Sequence, residues 1–475
     1  MSDYTYNKVT QEIVDELKEI IDSKYVIYED TEKLEPYSHD EIAEKSYASM
    51  PEVVIKPRTV EEISRVMKLA NRERIPVTPR GAGSGLSGGA VPLYGGILLS
   101  VERMNEILEI DRENLMAVVE PGVVTNDINE KVKEYGLFFA GYPMSVESCF
   151  IGGNVAENAG GGRAVKYGVT GRYILGLEVV TPEGDIINLG GKRVKDVVGY
   201  DFIKLMVGSE GTLGIFTKII IKLLPLPTEK IDLLVLFNDV ETAIKMVPMI
   251  MTNGRIIPTA VEFMDKLSFH TSYKYLNEHL PHEEAGAMLL IEVDGNSKTQ
   301  LEEEYETIGA LCLENDAIDV FVADNYTTQE RVWKVRRNIA EALKVYSPIQ
   351  TLEDIVVPMA NIPKILPELK VIADKYDVLI PCYGHAGDGN LHATVVKKPE
   401  MDDKKWEETL DKVLTEMYQK TVELGGTISG EHGVGHKRKK YIGQALEPVT
   451  LELMKRVKLA FDPNNILNPG KIFNL

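Results

Sequence analysis

The chain has 475 residues, more than one hydrophobic core organises, so two or three domains are expected. Apolar residues at 44% and charged residues at 27% are ordinary for a soluble globular protein and exclude disordered or fibrous classes. The 53 basic against 73 acidic residues give a net charge of −20, which repels phosphate backbones and excludes nucleic acid as an expected partner. An anionic substrate would then need a local basic focus.

Val9, Ile13, Leu17, Ile20 and Ile21 recur at helical spacing, so an amphipathic helix over 7–23 opens an N-terminal helical cap, residues 1–45. No basic segment followed by an apolar stretch is seen near Met1, and no apolar run reaches the ~18 residues of a membrane span. The expectation is a cytoplasmic protein without integral membrane contact. Cys149, Cys312 and Cys382 lie far apart, so neither a disulfide framework nor an iron-sulfur cluster is encoded.

From Glu52 the pattern becomes β/α: a strand at 52–56, a helix from Thr59 to about Asn71, then a strand at 75–78. Between Arg80 and Gly214, glycine clusters alternate with a strand-like run at 97–100 and short β-branched runs at 115–119, 177–181 and 186–189, a loop-rich α+β domain over 46–227. Pro225 and Pro227 mark a boundary. Beyond it, strands at 233–237 and 287–293 and a helix at 297–315 belong to a second domain, 228–420, and glycine-rich turns fill the C-terminal segment 421–475.

Residues 81–89 hold five glycines in nine positions directly after a strand, which lets successive N–H groups converge on a pyrophosphate. Gly83, Gly85 and Gly88 match G-x-G-x-x-G, yet Pro92, Gly95 and Gly96 follow where a dinucleotide fold needs a helix, so an NAD site is rejected. Further clusters at 151–171 and 207–215 suggest an extended phosphate-bearing cofactor, against the alternative of tight turns without a ligand.

Of eight histidines, four lie between His385 and His436. His385 and His392 are seven apart, which an unbroken strand would point to opposite faces, but Gly387–Asn390 breaks it and a turn can converge both imidazoles. With Glu431 they compose a two-histidine, one-carboxylate set with open positions, suited to zinc, iron or manganese. The competing reading is satisfied polar residues near turns.

The three glycine loops and the closing Asn468-Pro-Gly-Lys471 resemble the vanillyl-alcohol oxidase (PCMH-type) FAD-binding fold, in the branch with an FAD-linked oxidase C-terminal domain, over roughly 45–472. The resemblance implies an α+β architecture: a two-subdomain FAD-binding domain, a substrate (cap) domain with an antiparallel sheet, and a C-terminal segment returning to the FAD domain. It assigns the cofactor to Arg80, Gly81, Gly83, Ser84, Gly85, Ser87 and Gly88; to Ser148, Gly152, Gly153, Asn154, Glu157, Asn158, Gly160, Tyr167 and Gly168; to Gly208, Glu210, Gly211 and Ile215; and to Asn468 and Lys471. Some relatives tether FAD through a first-loop histidine; this chain has none between Asp40 and Phe269, so non-covalent FAD is expected.

The histidine motifs are similar to those of the family's D-2-hydroxy-acid dehydrogenases, closest to the D-lactate/glycolate branch. That likeness implies a divalent metal on His385, His392 and Glu431, substrate contact by Asn390, His432 as base, Arg336 on the substrate carboxylate, and hydride transfer to flavin. A plain surface arginine is the alternative for Arg336. Relatives acting on D-2-hydroxyglutarate carry threonine and lysine where this chain has Ala340 and Leu352, so a short monocarboxylate is favoured, lactate before glycolate. Electron exit implies a partner, an electron-transfer flavoprotein as in electron-bifurcating lactate dehydrogenase complexes, or an iron-sulfur subunit. Ether-lipid synthases on the same fold, and a non-catalytic flavin-binding subunit, are the remaining alternatives.

Overall fold

The computed structural model describes residues 4–42 and 45–475. They divide into two compact units: the first joins residues up to Gly160 with Val169–Leu226 and Glu431–Leu475, and the second joins Gly161–Gly168 with Pro227–Gly430.

In the first unit the helix Gln11–Ile20 buries Ile13, Val14 and Leu17, and the helix Val60–Glu73 starts where Thr59 Oγ1 accepts the Glu62 N–H. Their apolar faces share one core with Val53, Ile55, Val77, Ile97, Leu99, Ile466 and Leu467. The opening helix is therefore part of the first unit's core rather than a separate cap. Two larger sheets organise the unit, beside the two-stranded pairing of Leu137–Phe138 with Leu224–Pro225. One orders Val26–Tyr28, Val53–Ile55, Ile97–Ser100 and Val77–Arg80, the last three mutually parallel. The other is antiparallel and orders Ile107–Asp111, Met116–Val119, Ile215–Lys222, Ile174–Val180 and Ile186–Gly190. The C-terminal segment docks, as the Asn468 N–H donates to Val77 O at 2.7 Å.

The second unit is built on a seven-stranded antiparallel sheet in the order Ala317–Ala323, Glu229–Phe237, Ala287–Gly295, Ala260–Asp265, Cys382–His385, Asn390–Val396, Gln350–Val356. Seven buried residues in succession make Asn390–Val396 a strand covered on both faces. Residues 161–168 belong to this unit, not to the first as expected, because side-chain charges fasten them to the strand Ala287–Gly295: Lys166 Nζ lies 2.5 Å from Asp294 Oδ1 and Arg163 Nε 3.1 Å from Glu292 Oε1.

Candidate active site

Within the first unit the glycine loops wall one cavity. Arg80, Gly81, Gly152, Gly153, Glu157, Glu210, Gly211 and Ile215 line it, with Pro79, Val101, Pro121 and Phe216 as apolar wall. A Cβ on Gly85 or Gly153 would meet no atom within 4 Å, whereas one on Gly81 would lie 3.6 Å from Gly153 N, so two loops approach backbone to backbone and leave open space beside them. Such a surface fits a flat ring system and a pyrophosphate, which need close backbone approach and free N–H groups.

The remaining expected cofactor residues divide by position. Gly83, Ser84, Gly85, Ser87 and Gly88 continue the first loop, and the Gly88 N–H is held by Asp40 Oδ2 at 2.8 Å. Asn154 Nδ2 donates to Thr125 Oγ1, Asn158 Oδ1 accepts the Gly171 N–H, and Gly160 and Gly208 lie beside them in the chain's first unit. Ser148 is exposed. Asn468 Nδ2 donates to Gly89 O and Glu210 O, and Lys471 Nζ to Val91 O at 2.6 Å. Burial pulls the Lys471 ammonium down to about 7, with Lys439 adding repulsion. Tyr167 and Gly168 fall in the second unit, and the Tyr167 hydroxyl donates to Asp294 at 2.9 Å.

Glu157 and Glu210 form a buried acidic pair. Burial first, and Glu210 second, push the Glu157 carboxyl well above its usual range, and its Oε2 has no hydrogen-bond partner. Glu210 accepts the N–H groups of Val434 at 2.8 Å and Gly435 at 2.6 Å. Burial raises the Glu210 carboxyl too, but these two N–H donors oppose it, so of the pair Glu210 is the better placed to carry the charge and Glu157 the proton. Glu431 and His432 open this same turn in the first unit, with His432 Nε2 3.6 Å from Glu431 Oε1.

In the second unit the histidine pair sits on a hairpin. Cys382–His385 and Asn390–Val396 are antiparallel, with Tyr383 opposite His392. Directly opposed residues share a face, and His385, two residues past Tyr383, returns to that face. The seven-residue spacing thus brings both imidazoles together through a turn, with ring centroids 5.3 Å apart. Glu262, on the neighbouring strand, completes the array: its Oε1 lies 2.6 Å from His385 Nδ1 and its Oε2 accepts from Arg336 Nε at 2.6 Å. Burial opposes ionisation of Glu262, but Arg336 and His385 outweigh it and hold the carboxyl below its usual range.

A carboxylate on Nδ1 fixes the tautomer and leaves Nε2 of His385 as the nitrogen a metal would use, the arrangement typical of ligating histidines. Arg336 is no surface residue: it is 4% exposed, stacks over Tyr383 at 4.9 Å, and its Nη2 is buried without a hydrogen-bond partner. Asn390 is held by Asp354, whose Oδ1 accepts from Nδ2 at 2.5 Å, while Asn390 Oδ1 is buried and unpartnered. Asp354 Oδ2 also accepts from Ser429 Oγ and the Gly430 N–H. Sequence reasoning missed Glu262 and this role of Asp354. Their one signal is an acidic residue inside a run that folds as a buried strand.

Two family models match the chain, and the second begins at the Leu226–Pro227 junction while continuing through Glu431–Ile472 of the first unit. An FAD binding domain matches residues 51–190, and the C-terminal domain of FAD linked oxidases matches 226–472. The chain belongs to the FAD-linked oxidases. Among its relatives, the glycolate oxidase subunit GlcD of Bacillus subtilis (strain 168) is 45% identical over 92% of each chain, and the D-lactate dehydrogenase of Anaerostipes hadrus is 40% identical over 99% of each. This FAD-linked oxidoreductase also shares its fold with p-cresol methylhydroxylase, with a TM-score of 0.79 at 20% identity, covering 99% of both chains. Among the described residues no helix is long and apolar enough to cross a membrane.

Proposed function

We propose that this FAD-linked oxidase oxidises a small D-2-hydroxy monocarboxylate, D-lactate to pyruvate first and glycolate second. The observation that carries the proposal is the Arg336–Glu262–His385 array, with His392 on the same face and a buried, unpartnered guanidinium nitrogen. Orphaned buried donors are costly, by about 1–3 kcal/mol, and an anion that accepts from this one removes the penalty. Arg336 Nη2 accordingly binds the substrate carboxylate, while Nε stays on Glu262 and keeps the guanidinium oriented. Asn390 Oδ1, fixed by the Asp354 clamp on its amide nitrogen, accepts the substrate hydroxyl or orients it.

His385, His392 and Glu431 are the residues that would hold a divalent metal, which when bound acidifies the α-hydroxyl. His432 is the base that takes the hydroxyl proton onto an imidazole nitrogen. FAD, held by the glycine loops, supplies the acceptor for the two electrons and the hydrogen from Cα. Ala340 and Leu352 offer no charge for a second carboxylate, in keeping with a monocarboxylate.

We further propose that electrons pass to a separate carrier, an electron-transfer flavoprotein or an iron-sulfur subunit, and that the protein works in the cytoplasm. Three free, buried cysteines far apart in the sequence support both readings, since they do not compose a cluster-binding set and suit a reducing compartment. The flavin is non-covalent on this reading, so heat precipitation should leave it in the supernatant; flavin pelleting with the protein would refute that.

The deciding experiment is anaerobic titration of the FAD-loaded protein with D- and L-lactate, glycolate and D-2-hydroxyglutarate, following flavin absorbance with and without a chelator. Bleaching by D-lactate or glycolate that the chelator suppresses is expected. If no hydroxy acid bleaches the flavin, the reading fails.

A further inference from the structure

The turn after Glu431 is tied to the cofactor loops at several points. Glu210 takes the Val434 and Gly435 N–H groups on separate oxygens, at 2.8 and 2.6 Å. Ser87 O, in the first glycine loop, accepts the His436 and Lys437 N–H groups at 2.8 and 3.0 Å. Gly435 O accepts the Ile472 N–H at 2.9 Å, from the segment after the Asn468-Pro-Gly-Lys motif. Arg438, fully buried, donates from Nη1 to Gly433 O at 3.1 Å, inside the same turn.

Both Glu210 carboxylate oxygens are thus committed to this turn, although its residue lines the flavin cavity. A carboxylate accepting two successive backbone N–H groups fixes both peptide planes, because each charge-assisted bond is directional. Two and three residues before those planes lie His432 and Glu431.

We propose that Glu210 is a positioning residue: its side chain clamps the Gly433–Gly435 turn and thereby holds the base His432 and the metal-binding Glu431, while its contribution to the flavin is through backbone alone. This assignment rests on the function proposed above for His432 and Glu431. It divides the signature Gly208-Ser-Glu-Gly211 into glycines that admit a cofactor and a glutamate that shapes the reaction centre.

Glu210→Gln tests it, because the amide keeps the size but presents an NH₂ to one of two N–H donors. Three quantities are measured on FAD-loaded protein: FAD affinity by fluorescence, hydrogen exchange of the peptide spanning 429–440 by mass spectrometry, and kcat and KM with D-lactate and a dye acceptor. The clamp predicts FAD affinity within about twofold of wild type, exchange in the turn at least about tenfold faster, and kcat down about tenfold or more with KM within about twofold. Gly435→Ala provides a second route should Glu210→Gln fold poorly. Its Cβ would sit 2.1 Å from Ser87 O at φ +52°, displacing the turn while the Glu210 carboxylate is kept; because Ser87 belongs to the first cofactor loop, this variant is read by exchange in 429–440 and by kcat at saturating FAD, both expected to change as in Glu210→Gln. Weakened FAD binding with unchanged exchange would make Glu210 a flavin ligand and overturn the proposal. So would faster exchange with unchanged kcat. If wild type itself fails to oxidise any hydroxy acid, the functional reading falls, and this positioning role falls with it even where exchange confirms the clamp itself.

Discussion

Arg336 is bound to Glu262 through Nε and leaves Nη2 buried and unpartnered. A lysine at this position has one nitrogen for both tasks. In Arg336→Lys the ammonium stays with Glu262, the stronger and permanent partner, and the substrate carboxylate loses a charge-assisted bond of about 1.5–3 kcal/mol. Steady-state kinetics should show KM for D-lactate rising roughly 10- to 100-fold with FAD content unchanged; an unchanged KM would remove Arg336 from the substrate site. His436 offers a prediction in stability. Burial first, then Lys439 and Lys471, press its imidazole from 6.5 down to about 4. Between those values the unfolded chain binds a proton that the folded chain refuses, so stability rises with pH there and is lost as pH falls from 6.5 to 4. The full effect is about 3 kcal/mol at most. His436→Asn should flatten this acid limb in urea unfolding curves collected across that pH window, and an unaltered limb would mean that other groups set it.

The hairpin that carries His385 and His392 depends on a turn that few residues can make. Gly389 has φ +89°, and a Cβ there would lie 2.0 Å from Val357 O, an overlap with backbone that no rotamer relieves. Gly389→Ala should therefore cost more than about 2 kcal/mol and weaken Zn²⁺ binding measured by calorimetry, because the two strands lose the register that places His392 opposite Tyr383. Wild-type stability and Zn²⁺ affinity in this variant would show that the register survives without the glycine. The sequence announced this hairpin through its glycine punctuation, the opening helix through periodicity, and the strand at Ile97–Ser100 through its short apolar run. Short-range chemistry is legible because the residues that cause a turn are the residues in it. Glu262 is another matter. It lies 123 residues from His385, in a strand whose sequence Ala-Val-Glu-Phe-Met-Asp advertises only burial. Its role exists only once sheet order sets that strand beside Cys382–His385, and sheet order is a property of long-range pairing that local pattern does not encode. Residues 161–168 fall in the second unit for a related reason. Their glycines read like cofactor glycines, while the charges that fasten them to Asp294 and Glu292 act at long range.

At the scale of the whole molecule, a net charge of −20 faces a proposed substrate that is itself an anion. Arg336, the compensating charge at the proposed carboxylate site, is already neutralised in part by Glu262, so little attractive field extends from it into solvent. Beyond a few ångströms the net negative charge of the chain therefore dominates and lowers the local concentration of lactate near the protein. Salt changes these two contributions unequally. At low ionic strength the Debye length is ~30 Å and the distributed repulsion is felt in full, whereas near physiological salt it is ~8 Å and most surface charges are screened, while the buried Arg336 contact is hardly affected. The expected result is that kcat/KM for D-lactate, measured with an uncharged dye acceptor, rises about two- to fivefold from low to physiological salt. The gain should appear in KM alone, since kcat reports the bound complex, in which long-range repulsion has already been overcome. A fall in kcat/KM over the same range would mean that an attractive field reaches out from the site, and that basic side chains besides Arg336 guide the substrate.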